Sequence, residues 1–228
     1  MFFLTSDPSI LLKVFNSLND GFIISLELFI LTLVGSLPLG LILCVLRKSK
    51  IKVIASFVAV LVWIVRGTPL MLQLLVFYYG PGILFGNNIW GMQDNGRFIA
   101  ALSTFIFNYA CYFSEIYRGG MDSISVGQYE AGLVLGMTKR DIFFKVTLLQ
   151  VIKRIIPPIG NEIITLVKDT SLARVIAVYE VIWAGQSFIK AQGIIWPLFA
   201  TGLYYLIFTG ILTVLLAKIE KKLDYFKV

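Results

Sequence analysis

Six polar side chains interrupt otherwise apolar stretches of this 228-residue chain: Arg66, Thr68, Asn108, Asn161, Asp169 and Thr170. Their types suit recognition more than bond making. Asp169 offers a carboxylate to a cation. Arg66, with the backbone amides near a helix break at Gly67, offers donors to an anion. The chain has no histidine, so the usual general base and the commonest zinc ligand are both missing. Cys44 and Cys111 sit inside apolar runs and read as small buried hydrophobes, not as a disulfide or a metal pair. No Gly-x-x-x-x-Gly-Lys-Ser/Thr loop is present to cradle phosphates.

The elements that position these groups follow from composition. Hydrophobic residues make up 58% and charged residues 14%, with mean hydropathy +0.86. An ordinary soluble domain carries about 25% charged residues. Disorder is excluded by the hydrophobicity, and a soluble domain is disfavoured by the shortage of surface charge. A membrane helix needs about 20 apolar residues to cross roughly 30 Å of hydrocarbon. Five stretches meet this: 22–46, 53–79, 98–117, 155–172 and 194–217. The second is broken by Arg66-Gly67-Thr68-Pro69, and the fourth is short and carries Asn161, Glu162, Lys168 and Asp169. Residues 172–184 are too few to span and predict a re-entrant or interfacial helix. Residues 1–21 lack a basic leading region and an apolar run ending in small residues, so a cleavable signal is not expected. The whole chain, 1–228, is expected to be a single all-α transmembrane domain.

Lys and Arg set the expected orientation. Fourteen of the 20 lie in the 47–52 turn, the 118–154 stretch and the tail. Three lie on the opposite side (Lys13, Arg97, Lys190), and Arg66, Lys168 and Arg174 lie within apolar segments. This places the N-terminus outside and the C-terminus in the cytoplasm. The net charge of +7 is thus sorted by membrane side, and no basic–aromatic module of a nucleic-acid binder is present.

Residues 118–154 form the least apolar stretch. Ser125 can cap a helix, with Gln128 as its reciprocal partner, and Gly136 stands where that helix should stop. Thr138 and Asp141 mark a second start. The loop therefore predicts two short helices turning at Gly136-Met137. It is either a docking element, with Ala131, Gly132 and Gly136 small enough for close approach, or a solvated linker.

Glu130-Ala131-Gly132 with Gly136 four positions on, followed by an apolar segment ending in Ile155-Ile156-Pro157, resembles the cytoplasmic loop motif of binding-protein-dependent ABC importer permeases. The usual third residue is alanine; here it is Gly132. Arg66-Gly67-Thr68-Pro69-Leu70 and Lys168-Asp169-Thr170-Ser171-Leu172 resemble the polar amino acid branch of that superfamily. So do Glu115-Ile116-Tyr117-Arg118-Gly119-Gly120 and Pro157-Pro158-Ile159-Gly160-Asn161. The likeness runs in order from about residue 22 to 217.

The resemblance implies a type I ABC importer permease fold with five transmembrane helices, in a bacterial cell membrane. It implies a second permease subunit, identical or related, and two ABC ATPase subunits that carry the ATP and Mg. An extracytoplasmic amino acid-binding protein would deliver the substrate, and this chain itself would bind no cofactor. Glu130, Ala131, Gly132 and Gly136 would form the coupling face toward the ATPase. The two helix interruptions lie at similar depth. Arg66 is 13 residues past Val53 and Asp169 is 14 past Ile155, about 20 Å each, while Asn108 is about 15 Å in from Phe98. The six polar residues could then line one cavity, with Asp169 taking an ammonium and Arg66 or the Gly67 amides taking a carboxylate.

Other readings stand beside these. Arg66 could pair with Asp169 or Glu162 and lock the bundle. Asn108 could join helices instead of binding solute. Glu115 is expected to anchor the loop through Arg118. Pro157-Pro158 should separate the loop from the fourth span. A stand-alone secondary amino acid transporter and a membrane scaffold are the competing functions. Five spans without an inverted repeat disfavour the first, and the intramembrane charges disfavour the second.

Overall fold

The structure is a computed structural model and describes residues 8–91 and 93–223. The described residues are helical throughout, without strands. In chain order they form α1 (Pro8–Arg47), α2 (Lys52–Gly67), α3 (Leu70–Phe85), α4 (Asp94–Asp122), α5 (Val126–Val134) and α6 (Lys139–Asp141). A π turn (Ile142–Thr147) leads into α7 (Leu148–Asp169), and a 3₁₀ turn (Thr170–Ile176) precedes α8 (Val181–Gln192) and α9 (Trp196–Leu223).

α4 is the axis of the bundle. It buries Ala100, Ala101, Thr104, Phe105, Asn108, Tyr109, Ala110, Cys111, Phe113 and Ser114. Around it pack Leu28 and Phe29 of α1, Leu74 and Tyr78 of α3, and Leu166 and Val167 of α7. Without a hydrophobic driving force between helices in lipid, close van der Waals approach has to hold them. α1 achieves it with glycine. A Cβ on Gly40 would stand 2.9 Å from both the Ala110 carbonyl oxygen and Phe113 Cβ. One on Gly35 would meet the Ile106 side chain at 2.6 Å.

The expected spans map onto α1, the α2–α3 pair, α4, α7 and α9, with changed bounds. α1 is 40 residues long and begins 14 residues before the predicted start. The 53–79 stretch is not one straight helix: α2 and α3, 16 residues each, meet at 108°. At about 24 Å each is shorter than the hydrocarbon thickness. Pro69 is the reason, since it pushes Thr68 out of helical geometry, to φ −118° and ψ 145°. By length and apolarity α1, α4 and α9 could cross a membrane, and the bent pair makes four. α7, at the fourth expected span, carries too many charges to pass that test because one face is polar. The 172–184 segment is not a single helix. Its first part continues the 3₁₀ turn, Ala177 takes a left-handed φ of 61°, and α8 begins only at Val181.

Pro157 and Pro158 also depart from expectation. They lie inside α7 without ending it. The irregularity falls earlier, at the π turn, so α6, the π turn and α7 make one helical run. Cys44 and Cys111 are buried free thiols, as their apolar settings predicted.

Gly40→Ala should therefore lower the thermal midpoint of the purified protein, at a cost of about 1–3 kcal/mol for overpacking. Gly202→Ala on α9, where a Cβ meets nothing within 4 Å, should leave the midpoint unchanged or raise it. Equal losses from both would remove the close α1–α4 approach as the cause.

Candidate substrate site and coupling loop

The break between α2 and α3 exposes backbone carbonyls that lipid cannot satisfy. Gln73 satisfies them. Its Nε2 donates to the carbonyl oxygens of Val65 at 2.8 Å and Thr68 at 3.2 Å, and to Thr68 Oγ1 at 2.9 Å. Thr68 Oγ1 itself donates to the Ile64 carbonyl at 3.0 Å. Asn108 Nδ2 donates to Gln73 Oε1 at 2.9 Å, which fixes the amide from the α4 side. Thr68 and Asn108 are thus joined through Gln73, in a clamp across the break. Gln73 escaped the sequence reading. Its signal was being the lone polar residue in Leu70–Tyr79 until the tyrosines.

Asp169 ends α7, half-buried, where Tyr109 donates its hydroxyl to Oδ2 at 2.7 Å. Tyr109 is 2% exposed and was another residue the sequence left among generic aromatics. Glu162 stands seven positions before Asp169, nearly two helical turns on the same face, and lies within electrostatic reach of both Asp169 and Arg66. The Arg66 guanidinium turns to α4. It lies 5.1 Å from the Tyr112 ring centroid and 3.8 Å from Glu115 Oε2. It makes no ion pair with Asp169 or Glu162 among the described residues, so the expected lock between those groups is not the one formed. Arg66 keeps 42% of its side chain exposed. Asn161 is exposed on α7, one position off the Glu162–Asp169 line. Thr170 is buried, its hydroxyl donating to the Val167 carbonyl at 2.7 Å, toward the α1 and α9 side lined by Ser25, Phe29 and Tyr205. The six residues therefore fall into three places: a break clamp (Thr68, Asn108), an open polar face (Arg66, Asp169, with Asn161 beside it) and a buried turn (Thr170).

Glu115 collects cations. Arg118 donates to Oε2 at 2.8 Å, Arg66 approaches from α2, and Arg47 at the end of α1 contacts Oε1. Asp122, nearly two turns on, pairs with Lys48 at 2.6 Å and with Arg118 at 2.9 Å. The Arg154 guanidinium reaches the Ser123 carbonyl. One end of α1, α4 and α7 is thus tied together, next to the 123–147 loop.

Within that loop Ser125 caps α5, accepting from the Gly127 amide at 3.2 Å. Gln128 is not its reciprocal partner; it accepts from Gln150 on α7 instead, at 3.4 Å. Gly136 holds φ 72°. The Gly136 amide donates to the Leu133 carbonyl and the Met137 amide to the Gly132 carbonyl, both at 3.0 Å, the pattern of a Schellman stop. Thr138 caps the next helix from the Asp141 amide at 3.1 Å. A bond from Lys145, with Thr138 beside it, holds the Asp141 carboxyl below the usual carboxylate range. Gly132 faces inward. A Cβ there would stand 2.6 Å from Ile142 Cγ1, so its smallness serves contact within the chain, between α5 and the π turn. Glu130 and Ala131 remain exposed.

A residue with no sequence signal is Glu180, fully buried. Its carboxylate accepts from the Ile182 and Trp183 amides at 2.8 and 2.7 Å and caps α8. Tyr205 donates to it at 3.3 Å, which joins α8 to α9.

The clamp generates a test. Gln73→Leu leaves two backbone carbonyls and Asn108 without their partner, which should cost about 1–3 kcal/mol. Adding Asn108→Leu should cost little more, because the second partner is already idle. A double-mutant cycle in thermal unfolding reads this coupling, and additive losses would mean the two amides act independently.

Comparison with known proteins places this architecture. Residues 36–225 match the family described as binding-protein-dependent transport system inner membrane component. The chain is 33% identical over 192 residues to the nopaline transport system permease protein of Agrobacterium fabrum, covering 82% of this chain and 73% of that one. It is 32% identical over 209 residues to the glutamine transport system permease protein of Escherichia coli, covering 90% and 92%. The crystal structure of an amino acid ABC transporter with histidines superposes with TM-score 0.84 at 29% identity, covering 96% of this chain and all of that one. The all-α, type I importer permease fold expected from the motifs is therefore the fold of this protein. The chain belongs to the binding-protein-dependent transport system inner membrane components, the multi-pass membrane subunits of ABC transporters.

Proposed function

We propose that this chain is the permease subunit of an ATP-driven importer that takes up amino acids handed over by an extracytoplasmic binding protein. The observation that carries this reading is the open polar face across α2, α4 and α7. It presents Asp169, oriented by Tyr109, and an exposed guanidinium, Arg66, with Glu162 on the same face of α7 as Asp169. An ionisable group within a membrane segment is costly, and where it persists it usually serves the transported solute. A carboxylate and a guanidinium complement the two ends of a zwitterion. The permease relatives for glutamine and nopaline support the same reading.

In this reading two such permease subunits, identical or related, pair in the bacterial membrane above two ATPase subunits. Those subunits carry ATP and Mg, and this chain hydrolyses nothing. The N-terminus faces outward and the C-terminus the cytoplasm, as the distribution of Lys and Arg favours. Asp169 takes the ammonium. Arg66 takes the carboxylate, sharing Glu115 with Arg118 while the site is empty. Thr68 and Asn108 serve the site by holding the break that positions Arg66, and Asn161 and Thr170 border it. Glu130 and Ala131 present the coupling face, while Gly132 and Gly136 shape it.

Asp169→Asn should lower uptake by about ten- to one-hundredfold, the loss of a charge-assisted bond worth roughly 1.5–3 kcal/mol, while the complex still assembles. Unchanged uptake kinetics would remove Asp169 from the site.

Gly136→Val tests the loop. A β-branched residue is strained at φ 72°, so the Schellman stop should fail and α5 lose its place against Ile142. Loaded binding protein should then no longer stimulate ATP hydrolysis, although the subunits still co-purify. Full stimulation in that variant would show that the loop does not carry the signal.

A further inference from the structure

Arg66 stands in the last turn of α2, just before the break, and its guanidinium carries several N–H donors. Among the described residues none of these donors meets a hydrogen-bond acceptor. The carboxylate beside it, Glu115, is already engaged. Arg118 donates to Oε2 from Nε at 3.2 Å and from Nη2 at 2.8 Å, and Arg47 contacts Oε1. Arg66 Nη1 stays 3.8 Å from Oε2, beyond hydrogen-bond reach. The closer partner of Arg66 is a ring: the guanidinium carbon lies over Tyr112, 5.1 Å from the centroid. Tyr112 precedes Glu115 by three positions, on the same face of α4. It is half-buried, and its ring lies 6.2 Å from that of Tyr109, whose hydroxyl holds Asp169. Tyr112 is also within electrostatic reach of Glu162 and Asp169. One side chain therefore borders both the cation and the carboxylates of the polar face.

We propose that Tyr112 is the positioning residue of the substrate face: its ring holds the Arg66 guanidinium and leaves the N–H groups free for a carboxylate of the substrate. The inference rests on the transport reading above. A cation is drawn to an aromatic face through the ring quadrupole. That attraction needs no acceptor, so it uses up no hydrogen bond. A carboxylate as the holder would act in the opposite way. Glu115, paired closely with Arg66, would fill the planar fork that a ligand carboxylate needs for two parallel hydrogen bonds. With Arg118 and Arg47 on it, Glu115 is instead a counter-charge at a distance. The clamp through Gln73 fixes where α2 ends. A long, flexible side chain still lies between that backbone and the charge, and the ring of Tyr112 fixes where the charge sits.

Two measurements on the full-length chain test the proposal. The first is magnetic resonance of the chain labelled with ¹⁵N-arginine in lipid nanodiscs, the Arg66 side-chain signal being assigned by its loss in Arg66→Lys. Tyr112→Leu should move that signal, because the ring current is gone, and Tyr112→Phe should restore it. A signal that stays in place in Tyr112→Leu, or moves as far in Tyr112→Phe, would overturn the role of the ring. The second is equilibrium binding of a mixture of the twenty radiolabelled L-amino acids to the assembled transporter, without binding protein. Tyr112→Leu should weaken binding by roughly two- to thirtyfold, the equivalent of about 0.5–2 kcal/mol for a lost cation–π contact, and Tyr112→Phe should recover it. Unchanged binding in Tyr112→Leu would overturn the proposal. Absence of binding in the unaltered transporter would count against the transport reading itself, and the Arg66 signal would still decide whether Tyr112 holds the guanidinium.

Discussion

A peptide carbonyl inside a membrane must find a donor within the protein, because lipid offers none. At Thr68-Pro69 this chain breaks that rule locally and repairs it with one side chain. Gln73 closes on the Val65 and Thr68 carbonyls, and Asn108 holds Gln73 from the bundle axis. Much of the polar architecture follows from that repair. It allows α2 and α3 to meet at 108°, which brings the end of α2 against α4. Arg66 is thereby placed beside Tyr112 and Glu115. Without the clamp the break would expose at least two unsatisfied carbonyls, and Arg66 would have no fixed place relative to Asp169.

The bundle around the clamp depends on contact, not on charge. Gly35 and Gly40 let α1 lie against α4 at a distance no side chain permits. Most of the ion pairs among the described residues gather at one end, where Glu115 and Asp122 bring together Arg47, Lys48, Arg66 and Arg118. Pairs as exposed as Lys48–Asp122 contribute little stability on their own. Their role is to fix which ends of α1, α2 and α4 stay together, next to the loop that leads to α5.

How much of this was legible in the sequence varies with the physics involved. The apolar runs marked the helices, because burial in lipid is a composition effect. Gly136 was legible as a helix stop because only a residue tolerant of positive φ fits there. The break at Pro69 was legible too, but its angle was not, since 108° depends on Gln73 finding carbonyls across the gap. The reading of Gly132 as a contact for another chain missed Ile142, ten positions away, whose side chain fills the space a Cβ would take. Pro157-Pro158 looked like a helix end because the local rule says so. α7 continues through both, held by α4 on one side and α9 on the other. Glu180 had no periodic or motif signal at all. Its burial depends on α1, α8 and α9 meeting, a long-range fact that no local pattern encodes.

The π turn at Ile142–Thr147 carries a last consequence. A π turn accommodates one residue more than the α-helix around it, and one residue corresponds to about 100° of helical rotation. The face of this helical run that meets α5 and the face that meets α4 are therefore out of phase with what a plain helix would give. Removing one residue between Ile142 and Thr147 would leave both halves helical and both packed surfaces chemically intact. It would nonetheless turn Glu162 and Asp169 through more than a quarter of a circle relative to the loop. In this segment the count of residues, more than their identity, works as a gear setting between the two ends of the subunit.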